Sequence, residues 1–103
     1  MKISILISGK QGSGKTTRMN QILSNCKKTG IKEISPEAFL SLSSDKLNTK
    51  RIYVIDGIID TNQVLQINNL ISKFDLSVIA ITQLSKEELL DFKFDNFAVV
   101  FLT

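Results

Sequence analysis

Short apolar runs alternate along the chain with segments whose apolar residues recur every three or four positions. Bounded by glycine or polar residues, the runs predict strands at 3–7, 51–57, 77–81 and 97–102, and a brief further strand is predicted at 31–34. The segments between them predict helices, the first of which ends at Gly30 and carries an apolar stripe of Met19, Ile22, Leu23 and Cys26. The alternation predicts an α/β fold of three layers, with helices on both faces of a mostly parallel five-stranded sheet.

Capping signals locate the other helices. The segment Ser35-Pro36-Glu37 supplies an N-cap, a proline for the first helical position and an acidic first turn, which predicts a short helix at 36–42 followed by a polar loop at 43–50. Either Asp60 or Thr61 caps the next helix. A last short helix begins at the pair Ser85 and Glu88, whose spacing is that of a capping box.

Composition and charge indicate one soluble globular domain spanning 1–103. Of the 103 residues, 43% are hydrophobic, and no run is long and apolar enough to span a membrane, so a cytoplasmic location is expected. The net charge of +3 comes from scattered side chains, which argues only weakly for nucleic acid. A local basic patch is conceivable, but solvated surface is the favoured interpretation for its candidate members, Lys10, Lys27, Lys28 and Lys32.

Cysteine and histidine content excludes several chemistries within one chain. Cys26 is the only cysteine and there is no histidine, so neither a disulfide framework, an ordinary zinc site nor a Cys–His or Ser–His catalytic pair can form. Because Cys26 falls on the apolar stripe of the first predicted helix, we expect a buried, unreactive thiol.

One segment carries a specific chemical motif between the first predicted strand and the first helix. It matches G-x-x-x-x-G-K-[ST] in full, as Gly9-Lys10-Gln11-Gly12-Ser13-Gly14-Lys15-Thr16. Glycines allow the backbone to wind around phosphate with its amides pointing inward, and the following helix adds positive charge at its N-terminus. We therefore expect this segment and Thr17 to bind a nucleotide, with Lys15 on the terminal phosphates and Thr16 on magnesium.

The chain resembles the P-loop NTPases, with 9–16 as Walker A and Ile52-Tyr53-Val54-Ile55-Asp56 as Walker B. The resemblance implies that Asp56 holds Mg²⁺ opposite Thr16. One extra strand unit lies between the two motifs. This order of strands resembles that of the branch containing the AAA-type and recombinase-type ATPases. By that resemblance the sheet order is 5-1-4-3-2, and Thr82 or Gln83 occupies the sensor position beside the γ-phosphate or the attacking water.

Departures from this branch concern catalysis. Its members usually carry a glutamate after the Walker B aspartate, where this chain has Gly57; Asp60 is a possible substitute, although an N-cap role is favoured. Neither Arg18 nor Arg51 falls at the usual arginine-finger position near the strand ends. Lys86 would be a weaker substitute for an arginine finger. By the same comparison, no helical lid is expected after the last predicted strand. Slow or absent hydrolysis by the chain alone is therefore expected.

The resulting hypothesis is an ATP- and Mg²⁺-binding domain with weak or partner-activated ATPase activity and with Lys15, Asp56 and Gln83 as catalytic residues. GTP is disfavoured because the N-K-x-D and D-x-x-G segments of small GTPases are absent. Two alternatives stay open. One is a small-molecule or nucleotide kinase, and the other is a non-hydrolysing accessory subunit of a nucleic-acid-processing machine. The partner, either a second copy or a larger protein, is not identified.

Overall fold

The computed structural model describes residues 3–10, 12–24, 30–92 and 95–102. Within these ranges five strands form one sheet, and every neighbouring pair is parallel. The strands are β1 (Ser4–Ser8), β2 (Ile31–Ile34), β3 (Ile52–Ile58), β4 (Ser77–Thr82) and β5 (Ala98–Phe101). The helices are α1 (Lys15–Ser24), α2 (Pro36–Leu40), α3 (Thr61–Phe74) and α4 (Lys86–Leu90), with a single 3₁₀ turn at Ser44–Lys46.

The strands lie in the order β2-β3-β4-β1-β5, which is the predicted order 5-1-4-3-2 counted from the other edge. The fold is therefore α/β. Its described strands are all parallel, where the sequence predicted a mostly parallel sheet. This order brings the carboxyl ends of β1, β3 and β4 side by side. Ligands of open parallel sheets bind beyond that edge, so the order decides which loops can share a site.

Alternation along the strands divides the core between the two faces of the sheet. Leu6 belongs to the larger cluster, which α2, α3 and α4 cover, whereas its neighbour Ile7 belongs to a smaller cluster that α1 covers. Phe39 of α2 is fully buried in the larger cluster, where its ring meets that of Tyr53 edge to face at 5.2 Å. Helices therefore cover both faces, as predicted.

Helix α1 is less buried than α3. None of its described residues is fully buried, although Met19, Ile22 and Leu23 pack against the smaller cluster. The predicted end of this helix, with Cys26, Lys27 and Lys28, lies outside the described residues. The 14 residues of α3 make it the longest helix described, and no helix in these ranges has the length and apolar content needed to cross a bilayer.

The predicted caps are present, and one helix ends earlier than predicted. Asp60, not Thr61, caps α3, and its Oδ1 accepts the amide proton of Gln63 at 2.9 Å. Helix α2 ends at Leu40 instead of residue 42, because the chain turns at Ser41. The polar stretch at 43–50 is a loop that includes the 3₁₀ turn.

Candidate functional site

The glycine-rich segment between β1 and α1 forms a tight loop. Gly12 and Gly14 have φ values of +84° and +94°, a region that glycine enters without strain. The amide of Ser13 donates to the carbonyl of Lys10 at 3.1 Å, and α1 begins immediately after Gly14. The loop therefore turns sharply and delivers the chain into the N-terminus of α1. Gln11, one of the predicted phosphate-binding residues, lies outside the described residues.

Gly9 begins this loop where three segments are closely packed. Its amide donates to the carbonyl of Thr82 at the end of β4 at 3.2 Å. A Cβ added to Gly9 would lie 3.1 Å from the carbonyl oxygen of Leu102 and would also meet the Ser13 side chain. Only glycine leaves room for this approach, so the start of the loop is fixed to the carboxyl edge of the sheet.

The Lys15 side chain folds back over the loop. Its Nζ donates hydrogen bonds to the carbonyl oxygens of Gly9 at 2.6 Å and Lys10 at 2.9 Å. An ammonium group has three donors, so one remains for a ligand after these two bonds. The positive charge of Lys15 thus lies on the inner side of the loop, next to the open space between the loop and β3.

Two adjoining clefts open beside this loop. The first, which we term the loop cleft, has a volume of about 410 Å³ and is lined by Gly12, Gly14, Lys15, Thr16, Thr17, Asp56, Ile81 and Gln83. The second, the side cleft, has about 320 Å³ and is lined by Lys15, Asp56, Gly57, Ile58, Ile59, Ile81, Thr82, Gln83, Leu84 and Glu88. Lys15, Asp56 and Gln83 line both. The structure therefore brings together all the predicted catalytic residues and both predicted magnesium ligands.

Thr82 and Gln83, the two alternatives for the sensor position, have different surroundings. Thr82 is buried at the end of β4, where its hydroxyl donates to the carbonyl of Ile58 at 2.9 Å and accepts from the amide of Leu84 at 3.1 Å. Gln83 is exposed and lines both clefts. The hydroxyl of Thr82 is engaged by two main-chain groups, whereas the Gln83 side chain is exposed at both clefts.

A β-bulge shapes the wall of the side cleft. Asp56 pairs with Ile81 and Ile58 pairs with Thr82, so Gly57 is the extra residue, and β3 continues past the predicted end of this strand. Gly57 has a φ of +92°. A glutamate at this position, as in the ATPases that the sequence resembles, would have to adopt a backbone conformation that side chains rarely take.

This bulge leads to a prediction about stability. We expect Gly57→Ala to lower the free energy of unfolding by about 1–2 kcal/mol, because the added Cβ is strained in the left-handed region although nothing lies within 4 Å of it. The matched control is Gly30→Ala, where φ is ordinary and the new Cβ would make normal contact with Arg51 at 3.5 Å. Urea unfolding curves of both variants test this, and equal stability of the two would contradict the strained bulge.

Other candidate residues lie away from the clefts or have structural roles. Asp60 lines neither cleft and caps α3, so the predicted N-cap role is confirmed. Arg51 precedes β3 at the opposite end of the strand, and Arg18 is exposed on α1 and lines neither cleft. The Nζ of Lys86 lies 5.7 Å from the ring centre of Phe101. None of these three basic side chains lines either cleft. For the two arginines, this agrees with the prediction that they lie away from the phosphates.

Glu88 is the one charged residue lining the two clefts that the sequence did not assign to the site. Its spacing from Ser85 indicated a capping box, and both hydrogen bonds of that box are present at 3.1 Å. The structure also places Glu88 in the wall of the side cleft with Lys15 and Asp56. The signal available in the sequence was its position one turn into the helix that follows β4, at the edge where ligands bind.

Comparisons with known proteins do not identify the chain. No family model matches the sequence, and no curated protein is significantly similar to it. Among the described residues there is also no group of three or more His, Cys, Asp or Glu side chains that could hold a metal ion by themselves. The function must therefore be argued from the clefts and the residues that line them.

Proposed function

We propose that the loop cleft binds the phosphates of ATP together with Mg²⁺, as in a P-loop NTPase. One observation carries the proposal: the glycine-rich loop, the Lys15 ammonium, the Thr16 hydroxyl and the Asp56 carboxylate all border one cleft of about 410 Å³. Phosphate oxygens are bound by backbone amides, by a helix N-terminus and by cationic donors, and the loop, α1 and Lys15 would supply these groups.

The cation site fits magnesium in the presence of nucleotide. Mg²⁺ usually keeps several water ligands and is held by one or two protein oxygens together with substrate phosphates. Thr16 and Asp56 line the loop cleft and would supply those oxygens. Bound there, the ion would neutralise phosphate charge. Lys15 would exchange part of its bonding to the Gly9 and Lys10 carbonyls for the terminal phosphates.

We further propose that this chain hydrolyses ATP slowly and that a partner accelerates it. Gly57 offers no carboxylate, and the two arginines lie outside both clefts. An arginine supplied to the transferring phosphate raises kcat by about 10³–10⁵ in P-loop enzymes. A second copy of the chain or a larger protein would have to provide that cation. Nothing in the described residues favours nucleic acid as the partner.

Single-turnover release of labelled γ-phosphate tests the rate. With enzyme in excess over ATP, we expect a rate constant on the order of 10⁻³ s⁻¹ or lower, which is typical of P-loop enzymes without an arginine finger. The reaction should require Mg²⁺, and a chelator should stop it. Release by the purified chain faster than about 1 s⁻¹ would contradict the proposed dependence on a partner.

The side cleft supports a second candidate, a small-molecule or nucleotide kinase. It adjoins the loop cleft, has about 320 Å³ and has apolar walls from Ile58, Ile59 and Leu84, so an acceptor molecule would lie beside the terminal phosphate. Transfer of labelled phosphate to an added nucleoside monophosphate, in place of release to water, would favour this candidate over the ATPase.

A further inference from the structure

We infer that Glu88 is the general base that activates water in the side cleft. This inference rests on the proposed function, since it assigns a role in ATP hydrolysis at the same site. It starts from the missing carboxylate: Gly57 has no side chain at the position where the resembling ATPases carry theirs. A base that this chain supplies for attack on the γ-phosphate would have to lie elsewhere in the walls of the two clefts.

Glu88 is the only remaining carboxylate in those walls. Among the described residues that line the loop cleft and the side cleft, the acidic ones are Asp56 and Glu88. Asp56 borders both clefts, shares the loop cleft with Thr16 and is assigned to magnesium in the proposed function. Asp60 lines neither cleft, and its Oδ1 accepts the amide proton of Gln63. By position, Glu88 is the carboxylate available to a water molecule in the side cleft.

The surrounding structure holds the Glu88 carboxylate in place. Its Oε1 accepts the amide proton of Ser85 at 3.1 Å, and the Glu88 amide donates to the Ser85 hydroxyl at 3.1 Å. Leu89, the next residue, is buried in the larger core cluster and anchors α4 to the sheet. A carboxylate has about four lone-pair sites, so one bond to Ser85 leaves the capacity to accept a proton from water.

The proposed step is balanced within the reactants ATP and water. The water oxygen forms a bond to the γ-phosphorus while one of its protons passes to the Glu88 carboxylate, and the bond between the γ-phosphorus and the β–γ bridging oxygen breaks. The electron pair of that bond stays on ADP, with its charge stabilised by Lys15. Phosphate then leaves, and Glu88 releases its proton to solvent.

Glu88→Gln tests the inference, with Glu87→Gln as the matched control. A glutamine at this position still accepts the Ser85 amide proton and preserves the capping box, but it cannot take up a proton at neutral pH. Glu87 is an exposed neighbour on α4 that lines neither cleft. We expect Glu88→Gln to lower the single-turnover hydrolysis rate at least about 100-fold, the smaller end of the effect of a general base. Glu87→Gln should leave the rate within about twofold of the original chain.

Binding and melting measurements separate the outcomes. The Kd for Mg·ATP and the Tm without nucleotide should be unchanged in Glu88→Gln, which distinguishes lost chemistry from lost structure. Hydrolysis by Glu88→Gln within about twofold of the original rate would overturn the inference and leave the proposed binding intact. An original chain that binds Mg·ATP but shows no turnover would overturn it too. If the original chain fails to bind Mg·ATP, the proposed function itself fails, and the inference fails with it.

Discussion

Replacing Lys15 by alanine is expected to weaken Mg·ATP binding about 100-fold while the protein remains folded. A hydrogen bond to a charged group contributes about 1.5–3 kcal/mol, and each 1.4 kcal/mol corresponds to a tenfold change in Kd. The side chain already lies on the loop through its bonds to Gly9 and Lys10, so its charge is placed before the phosphates arrive. Titration calorimetry of the variant with ATP and Mg²⁺ measures the loss.

Lys50→Ala is the control for the change in net charge. Lys50 is exposed in the loop that precedes β3, at the end of that strand away from the clefts. Its removal should alter Kd less than twofold. In the absence of nucleotide, Lys15→Ala should cost about 1–3 kcal/mol of stability, from two hydrogen bonds within the loop that are partly or fully exposed to solvent. Equal affinity of the Lys15 and Lys50 variants would remove Lys15 from the proposed site.

Most of the fold follows from local patterns in the sequence. Buried strands of a parallel sheet are continuous apolar runs, and this is why β1 and β4 were located to within one residue. The bulge near the end of β3 could not be predicted in this way. Gly57 looked like a terminator, yet the strand continues to Ile58, because pairing with β4 and the bond from the Thr82 hydroxyl to the Ile58 carbonyl fix a bulge there. A bulge depends on its partner strand, which the local sequence does not describe.

The site was predictable where its residues are contiguous or end a strand. Gly9, Lys15 and Thr16 belong to one motif, and Asp56 lies near the carboxyl end of a buried strand, so parallel strands in the predicted order place them at one edge. Glu88 differs, since its place depends on where α4 packs after β4. The different surroundings of Thr82 and Gln83 also required the structure, because burial distinguishes these two adjacent polar residues at the end of β4.

Thermal melting with Mg·ATP tests the central claim, that the glycine-rich loop and Lys15 bind nucleotide phosphates. A ligand that binds only the folded state stabilises it by about 2.7 kcal/mol when present at 100 times its Kd. For a domain of this size, each kcal/mol raises Tm by roughly 4–8 °C. The expected shift is therefore about 10–20 °C. At the same ATP concentration it should fall to roughly 2–3 °C in Lys15→Ala, whose Kd is about 100-fold higher, and it should disappear when Mg²⁺ is removed with a chelator.

The predicted result is a concentration-dependent rise in Tm that requires both ATP and Mg²⁺ and is much smaller without Lys15. An unchanged Tm at millimolar ATP and Mg²⁺, in protein that melts cooperatively, would contradict the account.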